Sequence, residues 1–275
     1  MLTVLKLEMH VAYTCNLDCA GCNHYSNYGL KGLVALDQAA QSLHAWSERI
    51  QPVHFSLLGG EPLLHPQLGE FLRLGRERFP RTRLRLVTNG LLLPRWPTLW
   101  PVLAATRTTL TISIHSREAD YARRMATPLA LAREASARFG FKLDLRDCVD
   151  NWYWSYRGQG MSMVPFTDGD PAASWGACAS RYCVTLEDGR LWKCPPLAHL
   201  PRVADRLSLA DKPAWQPYLR YRPLPLDASD AGLRAFFARG PEPSCGMCPA
   251  NPAYVRKQVV RQRVPKPERA VAGSH

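Results

Sequence analysis

The chain has 275 residues, 46% of them hydrophobic, and a formal net charge of +12. That length buries one large core with room for a small appended module, and no apolar run is long enough to span a bilayer, so membrane partners are not expected. Nine cysteines is an odd count, and the N-terminus lacks a basic segment followed by an uninterrupted apolar run; both argue against a secreted disulfide scaffold and for a reducing cytoplasm.

In chain order, the apolar stretch 2–11 predicts a buried strand. A helix over 37–50 follows, with Asp37 as its N-cap and Leu43, Trp46 and Ile50 on one stripe. A strand over 52–58 leads to a helix over 66–79, which Pro80 ends. Then come a strand over 82–87, a connection rich in Pro and Trp over 91–101, a strand over 109–115 and a helix over 117–139. A strand over 141–147 closes the clear repeats, and a sixth is expected near 161–166. Strands alternating with helices predict an α/β fold with a parallel sheet. After about residue 167 prolines thicken and cysteines return. Residues 184–194 read as a β-hairpin with Asp188-Gly189 at its turn. Residues 256–275 are basic, contain Pro265 and Pro267, and are expected to be a disordered tail. The domain boundaries expected are therefore 1–167, 168–255 and 256–275.

The first chemical signal is the run Cys15, Cys19, Cys22, spaced C-x3-C-x2-C on the loop leaving the first strand. A four-iron cubane usually takes four thiolates; three would leave one iron open to another ligand. A structural zinc site prefers four ligands in two separated pairs, and this triplet with His24 as a fourth would be cramped. The second signal lies near the C-terminus, where Cys178 and Cys194 bracket the hairpin and Cys245 and Cys248 form a CxxC. Together they suit a tetrahedral four-sulfur site, and spacing alone does not separate zinc from an iron–sulfur cluster. Cys183 could take the place of Cys178, and Cys148 is left over.

The triplet, with Gly59-Gly60-Glu61-Pro62 behind a strand downstream, resembles the radical S-adenosylmethionine superfamily. The resemblance implies a partial (β/α)6 TIM-like barrel in which the triplet holds a [4Fe–4S] cluster. S-adenosylmethionine would chelate the open iron and be cleaved to a 5′-deoxyadenosyl radical. It assigns Gly59, Gly60, Glu61 and Pro62 to the methionyl amino group, with the glutamate charge facing it, and brings Thr88-Asn89-Gly90 to the ligand. Ser113 and His115 end a strand and are candidates for the ribose or the substrate. The residue before the third cysteine is usually aromatic in this family and lies near the adenine; here it is Gly21, and His24 or Tyr25 would take over that contact. The C-terminal pattern Cys178-x10-Gly189-x4-Cys194 followed by the CxxC is similar to the shortened auxiliary-cluster domain called twitch. That implies a second [4Fe–4S] cluster on Cys178, Cys194, Cys245 and Cys248, with zinc as the alternative. The layout is similar to that of the family's aminocyclitol dehydrogenases.

This resemblance implies hydrogen abstraction from a small polar substrate such as a sugar, an aminocyclitol or a nucleotide-linked polyol. Electron transfer to an auxiliary cluster favours dehydrogenation of a carbinol. Return of a hydrogen from a thiol such as Cys148 would instead give epimerisation. Arg146 and Arg157 are catalytic candidates for the base that takes the carbinol proton, with charge stabilisation or hydroxyl binding favoured because arginine stays protonated. The group Trp152, Tyr153, Trp154 and Tyr156 could stack on a ring or pack in the core. The basic excess favours an anionic small molecule, and a flavodoxin or ferredoxin would supply electrons. Nucleic acid is not expected, because no RNA-binding module is recognisable. Modification of a ribosomal peptide is a second reading, set against the absence of a leader-binding segment before the first strand. A zinc-stapled binding protein is the third and would make the triplet incidental.

Overall fold

The computed structural model describes residues 1–150 and 154–252 and the backbone of 260–262. β1 (Leu2–Ala12) runs into a loop carrying the short β2 (Leu17–Cys19). The alternation α1 (Leu36–Ser47), β3 (Ile50–Gly59), α2 (Leu68–Arg78), β4 (Arg83–Thr88), α3 (Leu99–Ala105), β5 (Thr109–Ile114), α4 (Ala119–Phe139) and β6 (Leu143–Asp147) follows. The second half carries α5 (Pro171–Ala177), the hairpin β7 (Val184–Glu187) and β8 (Arg190–Trp192), α6 (Pro195–Ala204), α7 (Gln216–Leu219), α8 (Asp230–Ala238) and β9 (Val260–Gln262). The main sheet has the order β6-β5-β4-β3-β1-β7-β8. All its neighbours are parallel except the β7–β8 hairpin. Residues at both outer parallel strands, Arg146 next to the end of β6 and Cys183 just before β7, line one cavity with residues of β1, β3, β4 and β5. The sheet therefore curls around that cavity as a partial barrel.

The helices cover the outer face of the sheet. Leu7, Phe55, Leu57, Leu84, Leu86, Leu110 and Ile112 point outward and pack under Leu43, Trp46, Phe71, Leu72 and Leu103 in one core. A second core, around Tyr25, Tyr156, Leu200, Trp215 and Met247, joins the cysteine loop to the C-terminal half. No helix among the described residues is long and apolar enough to cross a membrane.

Several expectations shift. α1 has Ala35 at its N-cap without a side-chain bond, and Asp37 lies in its first turn. Ile50 leaves the helical stripe to open β3, because Glu48 ends the helix. The connection 91–101 runs into a helix, α3. No strand forms over 161–166; that stretch makes a short 3-10 turn at Gly160–Ser162 and a single bridge between Arg157 and Val164. The sixth parallel strand is instead β7, which joins the opposite edge beside β1. The hairpin forms as the Asp188-Gly189 turn requires, with both residues at positive φ, 49° and 73°, but it extends the main sheet. Of the expected tail, 256–259 and 263–275 lie outside the described residues; at 260–262, β9 pairs antiparallel with β2 on the cysteine loop.

The turn after β3 is welded to its neighbours by Glu61, which is fully buried. Its Oε1 accepts from the Leu63 amide (2.9 Å) and from Thr88 Oγ1 (2.5 Å), and its Oε2 accepts from the Asn89 amide (2.9 Å). Burial pushes this carboxyl up to about 7 against those three donors. Its folded value is thus above the ordinary value of 4.5, and the folded state holds more protons between the two. The contribution is fully present below pH 4.5 and lost as pH rises through about 7. Urea unfolding at about pH 5 and about pH 8 should therefore show stability falling more steeply in the wild type than in Glu61→Gln. The variant should also lose about 1–3 kcal/mol, because its amide N–H meets the Asn89 N–H. Equal pH slopes in the two proteins would contradict the assignment.

Candidate active site

The C-terminal ends of the parallel strands open into a cavity of about 260 Å³, the position where barrels of this kind gather their chemistry. Cys15, Cys19 and Cys22 line it together with Gly59, Gly60, Asn89, Ser113, His115, Arg146 and Cys148. The geometry begins with the glycine turn. A Cβ at Gly60 would overlap the backbone carbonyls of Tyr13 and Thr14, and one at Gly59 would overlap that of Ala12. With no side chains there, the Gly60 amide reaches the Ala12 carbonyl (2.7 Å) and the Glu61 amide reaches that of Thr14 (2.9 Å). His24 Nδ1 lies 3.2 Å from the Gly59 carbonyl, so the cysteine loop is tied to the turn from its far side. Asn89 Nδ2 donates to Asn16 Oδ1 (2.7 Å) and fixes the β4 end against the same loop.

The donor set at the triplet suits thiolates bound to a cationic core. Burial pushes the Cys22 thiol up, and the backbone amides of His24, Ser26, Asn27 and Tyr25 beside it work the other way, as successive N–H groups near an anion do. The Leu17 amide donates to Cys15 Sγ (3.4 Å). Burial pushes the Cys19 thiol well up, with the nearby Cys22 and Cys15 adding to it; a cation at the site would reverse that penalty. The residues fit a [4Fe–4S] cluster with three protein ligands.

The second cysteine set converges on a separate small cavity of about 30 Å³, lined by Cys178, Cys194, Cys245 and Cys248 with Trp175, Lys193, Leu197 and Met247. Cys194 is the N-cap residue of α6, with prolines at the next two positions and no side-chain cap bond. The Ser180 amide donates to Cys178 Sγ (3.3 Å). Burial raises Cys194, Cys245 and Cys248, and each is affected by the other sulfurs of the set. No group of three or more His, Cys, Asp or Glu side chains among the described residues is drawn in around a single metal ion; each cysteine set meets as the wall of a cavity.

Not every expected residue joins these sites. Cys183 is outside the four-sulfur set: it lines the first cavity and accepts from Lys6 Nζ at 3.0 Å, because it stands just before β7, the strand beside β1. The Glu61 side chain and Pro62 are buried behind the turn, and Glu61 spends its oxygens on backbone and Thr88, so only the glycines of this run face the cavity. Tyr25 is fully buried at φ 55° and stacks on Tyr156 at 5.6 Å in the second core; His24, one residue earlier, takes the cavity position. Arg157 is exposed, bonds Thr167 Oγ1 (3.1 Å) and does not line the cavity. Gly21, at φ +69°, lies under the indole of Trp154, with no room for a Cβ. Trp154 and Tyr156 belong to a common aromatic group, while Trp152 and Tyr153 lie outside the described residues.

The sequence reading missed Lys6 and Glu8 of β1, Ser56 of β3 and Arg85 of β4, all of which line the cavity. The signal was present. Parallel strands covered on both faces read as near-continuous apolar runs, and polar residues at every second position interrupt them on the face that turns inward.

No curated protein sequence matches the chain. Among solved structures, BtrN in complex with AdoMet and 2-DOIA aligns at 17% identity and a TM-score of 0.45, over 80% of this chain and 84% of that one. Streptococcus suis SuiB bound to its precursor peptide SuiA aligns at 18% and 0.45, over 54% and 33%. Native anSMEcpe with bound AdoMet and the Cp18Cys peptide aligns at 17% and 0.42, over 53% and 43%. The chain thus spans less than half the length of the last two. The model of the radical SAM superfamily, a family that uses a [4Fe–4S] cluster and S-adenosylmethionine, matches residues 9–135, a span that runs from β1 through the triplet and the glycine turn into α4.

Proposed function

We propose that this protein is a radical S-adenosylmethionine oxidoreductase that dehydrogenates a carbinol of a small polar substrate in a reducing cytosol. The observation that carries the class is the family match over 9–135 together with the three cysteines of that segment on one cavity. When bound, the cluster supplies one electron for cleavage of the sulfonium and so gives access to hydrogen abstraction. The chain's own residues form the surroundings: Gly59 and Gly60 offer backbone to the methionyl group, Asn89 holds the β4 end, and Ser113 and His115 face the ribose or substrate. The four sulfurs on the second cavity support an auxiliary [4Fe–4S] cluster in a module spanning about residues 168–255. Such a cluster would accept the electron that carbinol oxidation releases. Flavodoxin or ferredoxin is the expected electron donor.

Epimerisation is the second reading, and one observation favours it. Two thiols outside both four-iron sets, Cys148 and Cys183, line the same cavity. Burial raises both, Cys183 to about 12, so each carries a hydrogen that a substrate radical could take.

Replacing Cys15, Cys19 and Cys22 with Ala should abolish 5′-deoxyadenosine formation from S-adenosylmethionine under dithionite, measured by chromatography; unaltered cleavage would sink the class assignment. Single replacement of Cys178 with Ala should lower the iron content of reconstituted protein, whereas Cys183→Ala should leave it at the wild-type value. The opposite pattern would return Cys183 to the auxiliary set. Replacing Cys245 and Cys248 together should spare uncoupled cleavage and block substrate oxidation; product at the full rate would remove the electron-acceptor role.

A further inference from the structure

The inward face of the sheet below the strand ends is charged, and its charges do not balance. Lys6, Arg85 and Arg146 line the cavity, against Glu8. Lys6 Nζ is paired with Glu8 Oε1 at 2.9 Å. The two arginines share one carboxylate: Asp144 Oδ2 accepts from Arg85 Nη2 at 2.8 Å and from Arg146 Nε at 3.2 Å. Asp144 also accepts from Thr111 Oγ1 at 3.3 Å, so it is held by β5 as well as by the arginines. One positive charge is left over where two guanidiniums stand together. The excess is felt locally. Burial and then Arg146 lower Arg85 from its ordinary value, and His54 on β3 is lowered by burial, Arg83, Arg85 and Lys6. Like charges in a partly buried wall repel, and an anion that joined them would relieve that cost. Arg146 meets Asp144 through Nε and lines the cavity; a guanidinium held by Nε can offer its two terminal nitrogens to an oxyanion in two parallel bonds.

We propose that the Arg85–Arg146 wall is a subsite for an oxyanion carried by the substrate, a carboxylate or a phosphate monoester, with Arg146 as the outer anchor and Asp144 as the residue that positions both guanidiniums. The assignment narrows the proposed function to acidic substrates and rests on the reading of this cavity as the substrate site. Lys6, already paired with Glu8 and Cys183, supplies field and no direct contact.

The test uses the full chain, anaerobically reconstituted and supplied with S-adenosylmethionine, titrated calorimetrically with inorganic phosphate and separately with acetate. The wild type should bind phosphate saturably in roughly the millimolar range. Arg146→Gln and Arg85→Gln should each weaken binding at least about tenfold, the loss expected for a charge-assisted bond. Arg146→Lys, which keeps the charge and loses the fork, should fall between, and Arg157→Gln, outside the cavity, should bind as the wild type does. Acetate bound as tightly as phosphate assigns a carboxylate, and phosphate bound alone assigns a phosphate ester. The proposal is overturned by the absence of saturable binding of either ion, or by wild-type binding in both Gln variants. Cleavage of S-adenosylmethionine measured on the same samples separates the two claims: wild-type protein that cleaves without binding an anion loses only the subsite, and one that does not cleave loses the class.

Discussion

The close approach of one turn to one strand end sets the geometry on which everything else depends. Gly59 and Gly60 bring the backbone after β3 into hydrogen-bonding contact with the Ala12 and Thr14 carbonyls at the point where β1 releases the cysteine loop. A methyl group on either residue would push the two apart. Because they touch, the loop that carries Cys15, Cys19 and Cys22 leaves β1 in a fixed direction, and His24 closes back on the same turn. Glu61 extends the link to β4. The three cysteines meet on one cavity because three strand ends are bonded into one frame.

Two sulfur sites then arise from different parts of the fold with different supports. The triplet sits on a loop, where the Leu17 amide donates to Cys15 Sγ and the amides of 24–27 favour the charged form of Cys22. The second set is assembled across long sequence distances, from the end of α5, the start of α6 and a 3-10 turn at Pro243–Met247. Tyr25, three residues after Cys22, lies between them in the second core. The same aromatic core therefore fixes the position of one cysteine set relative to the other.

Much of the barrel was legible because the relevant signals are local. The apolar runs of β1 and β3, the Asp188-Gly189 turn and the cysteine spacings each depend on a few neighbouring residues. What could not be read depends on the third dimension. β7 is too short to announce itself as the sixth parallel strand, and its place beside β1 follows from packing across the sheet. That placement also carries Cys183 away from the cysteine nearest it in sequence and sets it against Lys6. Glu61 carries the charge expected of a ligand contact, yet three donors behind the turn claim it. Arg146 and Arg157 look alike in sequence, and only the curl of the sheet brings one of them to the cavity. The inward-facing Lys6, Glu8 and Arg85 were visible as breaks in apolar runs; their meaning appears once the strands are known to surround a cavity.

The proposed function requires a four-iron cluster on each cysteine set. Iron, acid-labile sulfide and zinc per chain, measured on anaerobically reconstituted wild-type protein, test it most directly. About eight irons with matching sulfide, two cubanes of four, and no zinc are predicted. About four irons with one zinc would contradict it, making the second site structural and removing the electron acceptor on which dehydrogenation depends.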